Sequence, residues 1–265
     1  AITALYRAGI KPDLYMAVER HNLVPGSVKG IADPDYLRDI LLVGPDVLHP
    51  DCRALFDKKV YSFKADEPMF SMLFANTELM STYLEVGHIN PLVGNCGVSF
   101  PLHLGFTNLY LFGIDNGYRQ DGHHHSRLSM YYDESGETKN EYKQMALLQG
   151  DSDLPGNFGG VVISNPLFTA SVAMLEVAIG KFPQARCFNC SDGAAIAGAR
   201  PMYPEGLNFS RLPVLDKSAF QHFLLTEMAS PVPVADVPFE AFLDVPCFDM
   251  LMTRVRQDWQ MPLRS

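Results

Sequence analysis

Apolar and polar positions follow one another along the chain in blocks that predict helices and buried strands in turn. The segment ALYRAG, with a glycine where a helix would end, precedes the short apolar run KPDLYMAVE at residues 11 to 19, which predicts a helix and then a strand. KKVYSF at residues 58 to 63 predicts another strand. The run at residues 96 to 106 predicts a helix that ends at Gly105, followed by TNLYLFGID at residues 107 to 115. This last run is apolar nearly throughout, which is typical of a central parallel strand covered on both faces.

The same alternation continues in the second half of the chain. Residues 165 to 183 carry apolar side chains at helical spacing, and ARCFN at residues 185 to 189 predicts a short strand. Alternating helices and buried strands indicate an α/β fold with a doubly wound, mostly parallel sheet. We expect this domain to span residues 1 to 214. Residues 215 to 265 mix polar and apolar positions around the loop PVPVADVP, which predicts a helical appendage.

Composition and charge narrow the possible partners. The chain has 265 residues and a net charge of −9, and its 21 Lys and Arg residues form no block, which argues against nucleic acid as a partner. No apolar run reaches the length of a transmembrane segment, and the first residues lack the pattern of a secretory signal. We therefore expect a cytoplasmic location.

The five cysteines are odd in number and irregularly spaced, which favours reduced thiols over a disulfide framework. Cys187 and Cys190 have the C-x-x-C spacing of some redox and zinc sites. No second pair of ligands stands nearby to complete a tetrahedral site. We therefore interpret these two cysteines as small buried residues and predict no metal site.

The beginning of the chain departs from the usual pattern of a doubly wound sheet. The sequence opens within a predicted helix, ITALYRAG, with no first strand and no glycine-rich turn before it. Such a turn normally holds the phosphates of a bound nucleotide. Either the chain is a fragment or another segment fills that role.

The densest candidate chemistry is the stretch GIDNGYRQDGHHHS, which follows the predicted strand at residues 107 to 115. Ligands of parallel sheets bind at this end of the strands. Asp115 either caps a turn or orients a hydroxyl or ammonium group of a substrate. His123, His124 and His125 could form an exposed loop or a metal site, but imidazoles titrate near neutrality and suit acid or base catalysis and contact with phosphate.

These residues carry a resemblance to a known family. The segment GNCGVSFPLHLGFTNLYLFGIDNGYRQDGHHHSRLSMYY resembles the central domain of the motility accessory factors, which are bacterial flagellin glycosyltransferases. AGIKPD with a strand ending at Glu19, PGNFGG at residues 155 to 160 and NCSDGAAIAGA at residues 189 to 199 agree with the same family. The resemblance extends from residue 1 to about residue 200.

The resemblance implies a fold and an activity. The fold would be Rossmann-like, similar to that of bacterial sialyltransferases. The activity would be transfer of a nonulosonic acid, of the pseudaminic or legionaminic type, from its CMP conjugate to Ser or Thr hydroxyls of flagellin. Catalysis of this kind would require no cofactor and no metal. The implied partners are flagellin and a CMP-sugar, in the cytoplasm.

The resemblance also implies a set of site residues. His123, His124, His125 and Asp115 would be catalytic. The residues implied to bind the sugar or the nucleotide are Glu19, Gly94, Asn95, Gly113, Tyr118, Asn157, Ser191, Asp192 and Gly193.

One departure from the family keeps alternatives open. The G-x-G-P-S-L turn of the family, expected about 40 residues before AGIKPD, is absent, so part of the donor site would be missing. The 6-hydroxymethylpterin diphosphokinases of the same superfamily use ATP and Mg²⁺ and offer a second enzymatic interpretation. A domain that binds flagellin or a nucleotide-sugar without turnover is the third.

Overall fold

A computed structural model describes residues 2–20, 33–65, 83–119, 152–211 and 214–230, together with a few isolated positions outside these ranges. The described helices and strands, numbered in chain order, are α1 Ile2–Arg7, β1 Leu14–Met16, α2 Pro34–Arg38, β2 Leu41–Pro45, α3 Pro50–Arg53, β3 Lys58–Lys64, β4 Glu85–Val86, α4 Val93–His103, β5 Asn108–Leu111, β6 Ser152–Pro155, β7 Val161–Ser164, α5 Pro166–Gly180, β8 Arg186–Asn189, β9 Ala199–Pro201 and α6 Lys217–Phe223.

The first sheet has four parallel strands in the order β1-β2-β3-β4. Its most buried strand is β2, in which all five residues are buried. Leu42 packs on one face of this strand with Leu37 and Phe56. Leu41 and Val43 pack on the other face in a second cluster. A parallel sheet buried on both faces is the arrangement that crossover helices produce.

The second sheet is smaller and also parallel, with the order β5-β8-β9. One further pair, β6 and β7, is antiparallel and forms a separate ribbon. This mixed α/β arrangement of parallel strands and covering helices confirms the predicted Rossmann-like fold class.

Helix α4 packs against both sheets. Cys96 and Phe100, one turn apart, belong to the cluster that covers the first sheet. Val98 and Leu102, also one turn apart, belong to the cluster formed by β5, β8 and α5. Residues four apart share one face of a helix, so the two pairs lie on different sides of α4. The helix is therefore the common support of the two sheets.

A polar contact fixes α4 against α5. Asn95 is fully buried in the first turn of α4. Its Oδ1 accepts a hydrogen bond from Ser171 Oγ at 2.8 Å, and its Nδ2 donates to the Ser171 carbonyl at 2.9 Å. Because both ends of the amide are engaged, the two helices are held in one register.

Most of the elements predicted from the sequence are present. The helix expected to end at Gly105 ends at His103, and Gly105 follows with a positive φ of 86°. The predicted helix at residues 165 to 183 corresponds to α5. The predicted strands at 58 to 63 and 185 to 189 correspond to β3 and β8.

The prediction of a long central strand at residues 107 to 115 is wrong. The strand β5 covers only Asn108–Leu111, alternates between half-buried and buried positions, and stands at the end of the described order of its sheet. Phe112 is 55% exposed, and Gly113 has a φ of 70°, which extended backbone does not adopt. The apolar composition therefore continues past the point where the backbone leaves the sheet.

The predicted C-terminal appendage begins with α6, which contacts the first sheet. Leu224, just beyond α6, is buried in the cluster with Leu41 and Val43. Gln221 donates hydrogen bonds from Nε2 to the carbonyls of Asp13 and Asp39, at 2.9 and 3.2 Å. The loop predicted at residues 231 to 238 lies outside the described residues, and the domain boundary near residue 214 stays a prediction.

None of the described helices is long and apolar enough to span a bilayer.

The double packing of α4 predicts the effect of truncating its core side chains. Leu102 is 1% exposed, so Leu102→Ala leaves a cavity between α4 and the second sheet and should lower the free energy of unfolding by about 2 to 5 kcal/mol. Val177→Ala on α5, where the side chain is 43% exposed, is the control and should cost less than about 1 kcal/mol. Urea denaturation followed by circular dichroism measures both. Equal losses in the two variants would contradict the packing described for α4.

Candidate ligand cleft

A cavity of about 380 Å³ lies beside β1, between helices α1 and α4. Helix α4 contacts β1 and β4 of the first sheet and is followed along the chain by β5, the first strand of the second sheet. In parallel α/β folds, ligands bind in crevices at the carboxyl ends of the strands. The cavity follows β1 to Glu19, beyond the carboxyl end of the strand.

The wall formed by α4 is unusually open because two glycines face the cavity. Gly94 and Gly97 both line it. A Cβ placed at Gly97 would have no neighbour within 4 Å, whereas a Cβ at Gly94 would lie 3.7 Å from the Ile114 side chain. The helix backbone is therefore accessible from the cavity, and the loop after β5 touches the rim beside it. Most of the lining is apolar, and Glu19 is its acidic residue.

Asp115 lies in that loop and interacts with Ser191 from the loop after β8. The Gly113 N–H donates to Ser191 Oγ at 2.7 Å. The Ser191 hydroxyl in turn hydrogen-bonds the Asp115 carboxylate. Burial raises the pKa of Asp115 above its usual value, the Ser191 hydrogen bond opposes this shift, and the negative charge of Asp192 adds to it. The carboxyl group of Asp115 is thus a half-buried acceptor with a weakened preference for the ionised form.

The backbones of these two loops touch directly at Gly193. A Cβ at this position would lie 2.2 Å from the Asp115 carbonyl oxygen. The next residue, Ala194, donates its N–H to that same oxygen at 2.7 Å. Only glycine allows so close an approach, so residue 193 is constrained by sterics.

Asn157 joins a third segment to the cluster. Its side-chain amide donates to the carbonyls of Asn189 and Ser191, both at 2.9 Å, and its N–H donates to the Gly193 carbonyl at 2.8 Å. Among the described residues, Asn157 Oδ1 and Asn116 Nδ2 are buried without a hydrogen-bond partner. The cluster therefore retains one unused acceptor and one unused donor.

Arg119 is a residue of this cluster that the sequence did not single out. Its guanidinium donates to Asp192 at 2.6 Å and to the carbonyls of Gly159 and Val161 at 3.1 and 3.0 Å. The three bonds tie the glycine-rich turn between β6 and β7 to the loop after β8. The signal available in the sequence was only its position four residues after Asp115, which distinguishes it poorly from any exposed arginine.

The structure brings together many of the residues proposed from the sequence. Gly113, Asp115, Asn157, Ser191 and Gly193 form the cluster described above. Asp192 lies at its surface in the ion pair with Arg119. The main chain of Tyr118 is paired with Ile163 through two hydrogen bonds of 2.9 Å.

Other proposed residues lie elsewhere or are not described. Glu19 and Gly94 line the cavity. Asn95 is engaged by Ser171 and Leu92 in the interior, so its polar atoms are directed away from the cavity. His123, His124 and His125 lie outside the described residues, and their role stays a prediction.

The C-x-x-C pair is buried and reduced. Cys187 and Cys190 are 2% and 6% exposed, and neither forms a disulfide. Burial raises the pKa of both thiols, which keeps them protonated and poorly reactive. Their interpretation as small buried residues is confirmed.

Fold and site together define a Rossmann-like α/β protein with a candidate ligand cleft at the carboxyl end of β1, beside α4. No protein-family model and no curated protein matches the chain. Among solved structures, it is similar to the MAf glycosyltransferase from Magnetospirillum magneticum AMB-1, with 28% identity and a TM-score of 0.66. The match covers 86% of this chain and 32% of the other, so this chain spans about a third of that protein's length. The similarity supports the resemblance to motility accessory factors, and it does not bear on the pterin diphosphokinases.

The close approach at Gly193 can be tested with a pair of glycine variants. Gly193→Ala should lower the free energy of unfolding by about 1 to 3 kcal/mol, because the new methyl group forces the Asp115 loop away. Gly180→Ala, at the end of α5 with nothing within 4 Å of the added Cβ, should be neutral or stabilising by up to about 1 kcal/mol. Chemical denaturation measures both. A Gly193→Ala variant as stable as Gly180→Ala would contradict the described contact.

The raised pKa of Asp115 predicts a pH-dependent stability difference. A carboxyl group with a raised pKa in the folded state stabilises the fold below its unfolded pKa and loses that contribution as pH rises through the folded pKa. Asp115→Asn removes the ionisation. The variant should therefore gain stability relative to the parent as pH rises from about 4 towards neutrality. Unfolding measured across that pH series tests this, and a difference that stays constant or reverses sign would refute the burial of the carboxylate.

Proposed function

We propose that the chain is the donor-binding part of a glycosyltransferase that moves a nonulosonic acid from its CMP conjugate to Ser or Thr hydroxyls of flagellin. The observation that carries the proposal is the similarity to the MAf glycosyltransferase over 86% of the chain. Such a neighbour favours an enzymatic role. A location in the cytoplasm would give the chain access to both substrates.

The cleft offers complementary surfaces for such a donor. The apolar cavity beside Gly94 and Gly97 suits the ring of a nucleobase, because a ring can lie against helix backbone where no side chain intervenes. Asp115 would accept a hydrogen bond from a sugar hydroxyl. The Arg119–Asp192 pair would hold the loop that carries Ser191.

The reaction itself needs proton transfer. The acceptor hydroxyl must lose a proton as its oxygen attacks the anomeric carbon, and CMP leaves with negative charge on its phosphate. A group that titrates near neutrality can assist either event. We assign this role to the histidines at positions 123 to 125, and we propose that transfer requires no metal, because a single phosphate leaves.

Calorimetric titration of the chain with CMP, with ATP and Mg²⁺, and with flagellin separates the candidate functions. The proposal predicts that CMP binds without any divalent ion. Magnesium-dependent binding of ATP, with no affinity for CMP, would favour a diphosphokinase. Binding of flagellin alone would indicate an interaction domain without turnover.

A transfer assay tests the reaction itself. Incubation of the protein with flagellin and a CMP-nonulosonic acid should add to flagellin the mass of one sugar residue per modified site. EDTA should leave that addition unchanged.

The histidine assignment predicts a kinetic effect confined to the chemical step. Replacing His123, His124 and His125 singly by Ala should give at least one variant with kcat lowered about 10²- to 10⁴-fold, equivalent to about 3 to 5 kcal/mol of barrier. Its affinity for CMP should remain nearly that of the parent. His222→Ala, on helix α6, is the control. Three variants that all transfer sugar at the parent rate would show that the cluster has no catalytic role.

A further inference from the structure

Two cations converge on one carboxylate oxygen at the carboxyl edge of the first sheet. Arg20 and Lys64 both form ion pairs with Oε2 of Glu67. The Nζ atom of Lys64 lies 3.3 Å from this oxygen. The arginine follows β1, and the lysine is the last residue of β3. These strands are the two neighbours of β2, so the sheet itself brings the cations to the same edge. Glu67 thus occupies the position that the oxygen of an anionic ligand would take between two cations.

The lysine in this cluster is unusually buried. Its side chain is 12% exposed and that of Glu67 is 15% exposed, whereas Arg20 is 54% exposed. Lysine is rarely buried unless it is paired, and burying an ion pair costs solvation free energy that the attraction between the charges only partly offsets. The main-chain N–H of Lys64 donates to the Asp46 carboxylate at 3.2 Å, which anchors the end of β3 beside the cluster.

The single Glu67 oxygen cannot accept all the hydrogen bonds that Arg20 and Lys64 can donate. A lysine ammonium has three N–H donors and an arginine guanidinium has five. Phosphate and carboxylate groups present several acceptor oxygens and bind such pairs through charge-assisted hydrogen bonds. The pair formed by Arg20 and Lys64 therefore suits an anion with more oxygens than Glu67 supplies.

The cations line a cavity that adjoins the ligand cleft. Arg20 and Lys64 line a polar cavity of about 240 Å³. This cavity shares Val18 and Glu19 with the apolar cavity beside α4. One ligand could therefore place an uncharged ring in the apolar part and an anionic group in the polar part.

We propose that Arg20 and Lys64 form a subsite for an anionic group, phosphate or carboxylate, of the ligand held in the cleft, and that Glu67 is the internal counter-ion which this group displaces. The inference rests on the proposed function for the identity of the ligand, because a CMP-nonulosonic acid carries a phosphate and a carboxylate. The subsite itself is defined by the two cations and their cavity.

Titrations with ligands that differ in their anionic group test the subsite. The probes are CMP, cytidine, N-acetylneuraminic acid and inorganic phosphate, each titrated into the parent chain and its variants. If phosphate is the bound group, CMP should bind at least about tenfold more tightly than cytidine, and Lys64→Gln should abolish that difference. If carboxylate is the bound group, the Lys64-dependent affinity should appear with N-acetylneuraminic acid instead.

Three further variants complete the experiment. Arg20→Gln, at a half-exposed position, should weaken binding of the same probe. This variant replaces Lys64→Gln in the test if Lys64→Gln fails to fold. Lys59→Gln, at an exposed position of the same strand, should leave every affinity unchanged. Glu67→Gln should strengthen binding of the anionic probe roughly three- to tenfold, because the competing carboxylate is gone. Weaker binding in Glu67→Gln would show that Glu67 is not displaced by the ligand.

The results also separate this inference from the proposed function. If the parent and the Lys64→Gln and Arg20→Gln variants bound CMP with equal affinity, and also bound N-acetylneuraminic acid with equal affinity, the subsite would be overturned while a CMP-sugar donor would remain supported. Lys64-dependent binding of inorganic phosphate or N-acetylneuraminic acid, with no affinity for CMP or cytidine, would support the subsite and refute the CMP donor. If none of the three anionic probes (CMP, N-acetylneuraminic acid and inorganic phosphate) bound to the chain, the subsite would be overturned.

Discussion

The double packing of helix α4 is the constraint on which the rest of the structure depends. One side of the helix covers the first sheet through Phe100, and another covers the second sheet through Leu102. The first turns of the same helix form one wall of the cavity beside β1. Gly94 and Gly97 lie in this wall and leave the helix backbone accessible. The packing of α4 in the core therefore also positions the wall of the cleft.

A second constraint fixes the loops that follow β5 and β8. The loops after β5 and β8 approach so closely at Gly193 that a side chain there would overlap Asp115. Ser191 and Asn157 complete the contact with hydrogen bonds to main-chain groups. Because most of these bonds involve the backbone, the cluster is rigid before any ligand binds. Rigid placement of polar groups lowers the entropic cost of binding.

The sequence predicted the regular elements better than their places in the fold. Helix α5 and strand β8 followed from apolar periodicity, because that pattern reports local burial. Strand β2 was not predicted, although ILLV at residues 40 to 43 is a short apolar run before a glycine and a proline. The apolar run at residues 107 to 115 looked more central than β2, because composition alone does not show where Gly113 turns the backbone out of the sheet.

The residues of the candidate site were likewise predicted only in part. Ser191, Gly193 and Asn157 were proposed from motifs. Their contact with Asp115 depends on three separate chain segments coming together in the fold, which no local sequence pattern encodes. Asn95 was proposed from the same resemblance, but its amide fastens α4 to α5. Arg119, Lys64 and Glu67 were not proposed, since isolated charged residues are common on any surface. Arg119 and Glu67 gain their significance from Asp192 and Arg20, which are more than forty positions away.

Hydrogen–deuterium exchange measured with and without CMP shows whether the crevice beside α4 is the ligand site. Binding should slow exchange at residues 14 to 20, at the first turns of α4 and in the loop at residues 113 to 119. Exchange in α6, none of whose residues lines the cavity, should not change. Protection confined to α6, or no protection along β1 and α4 at saturating CMP, would contradict this assignment of the ligand site.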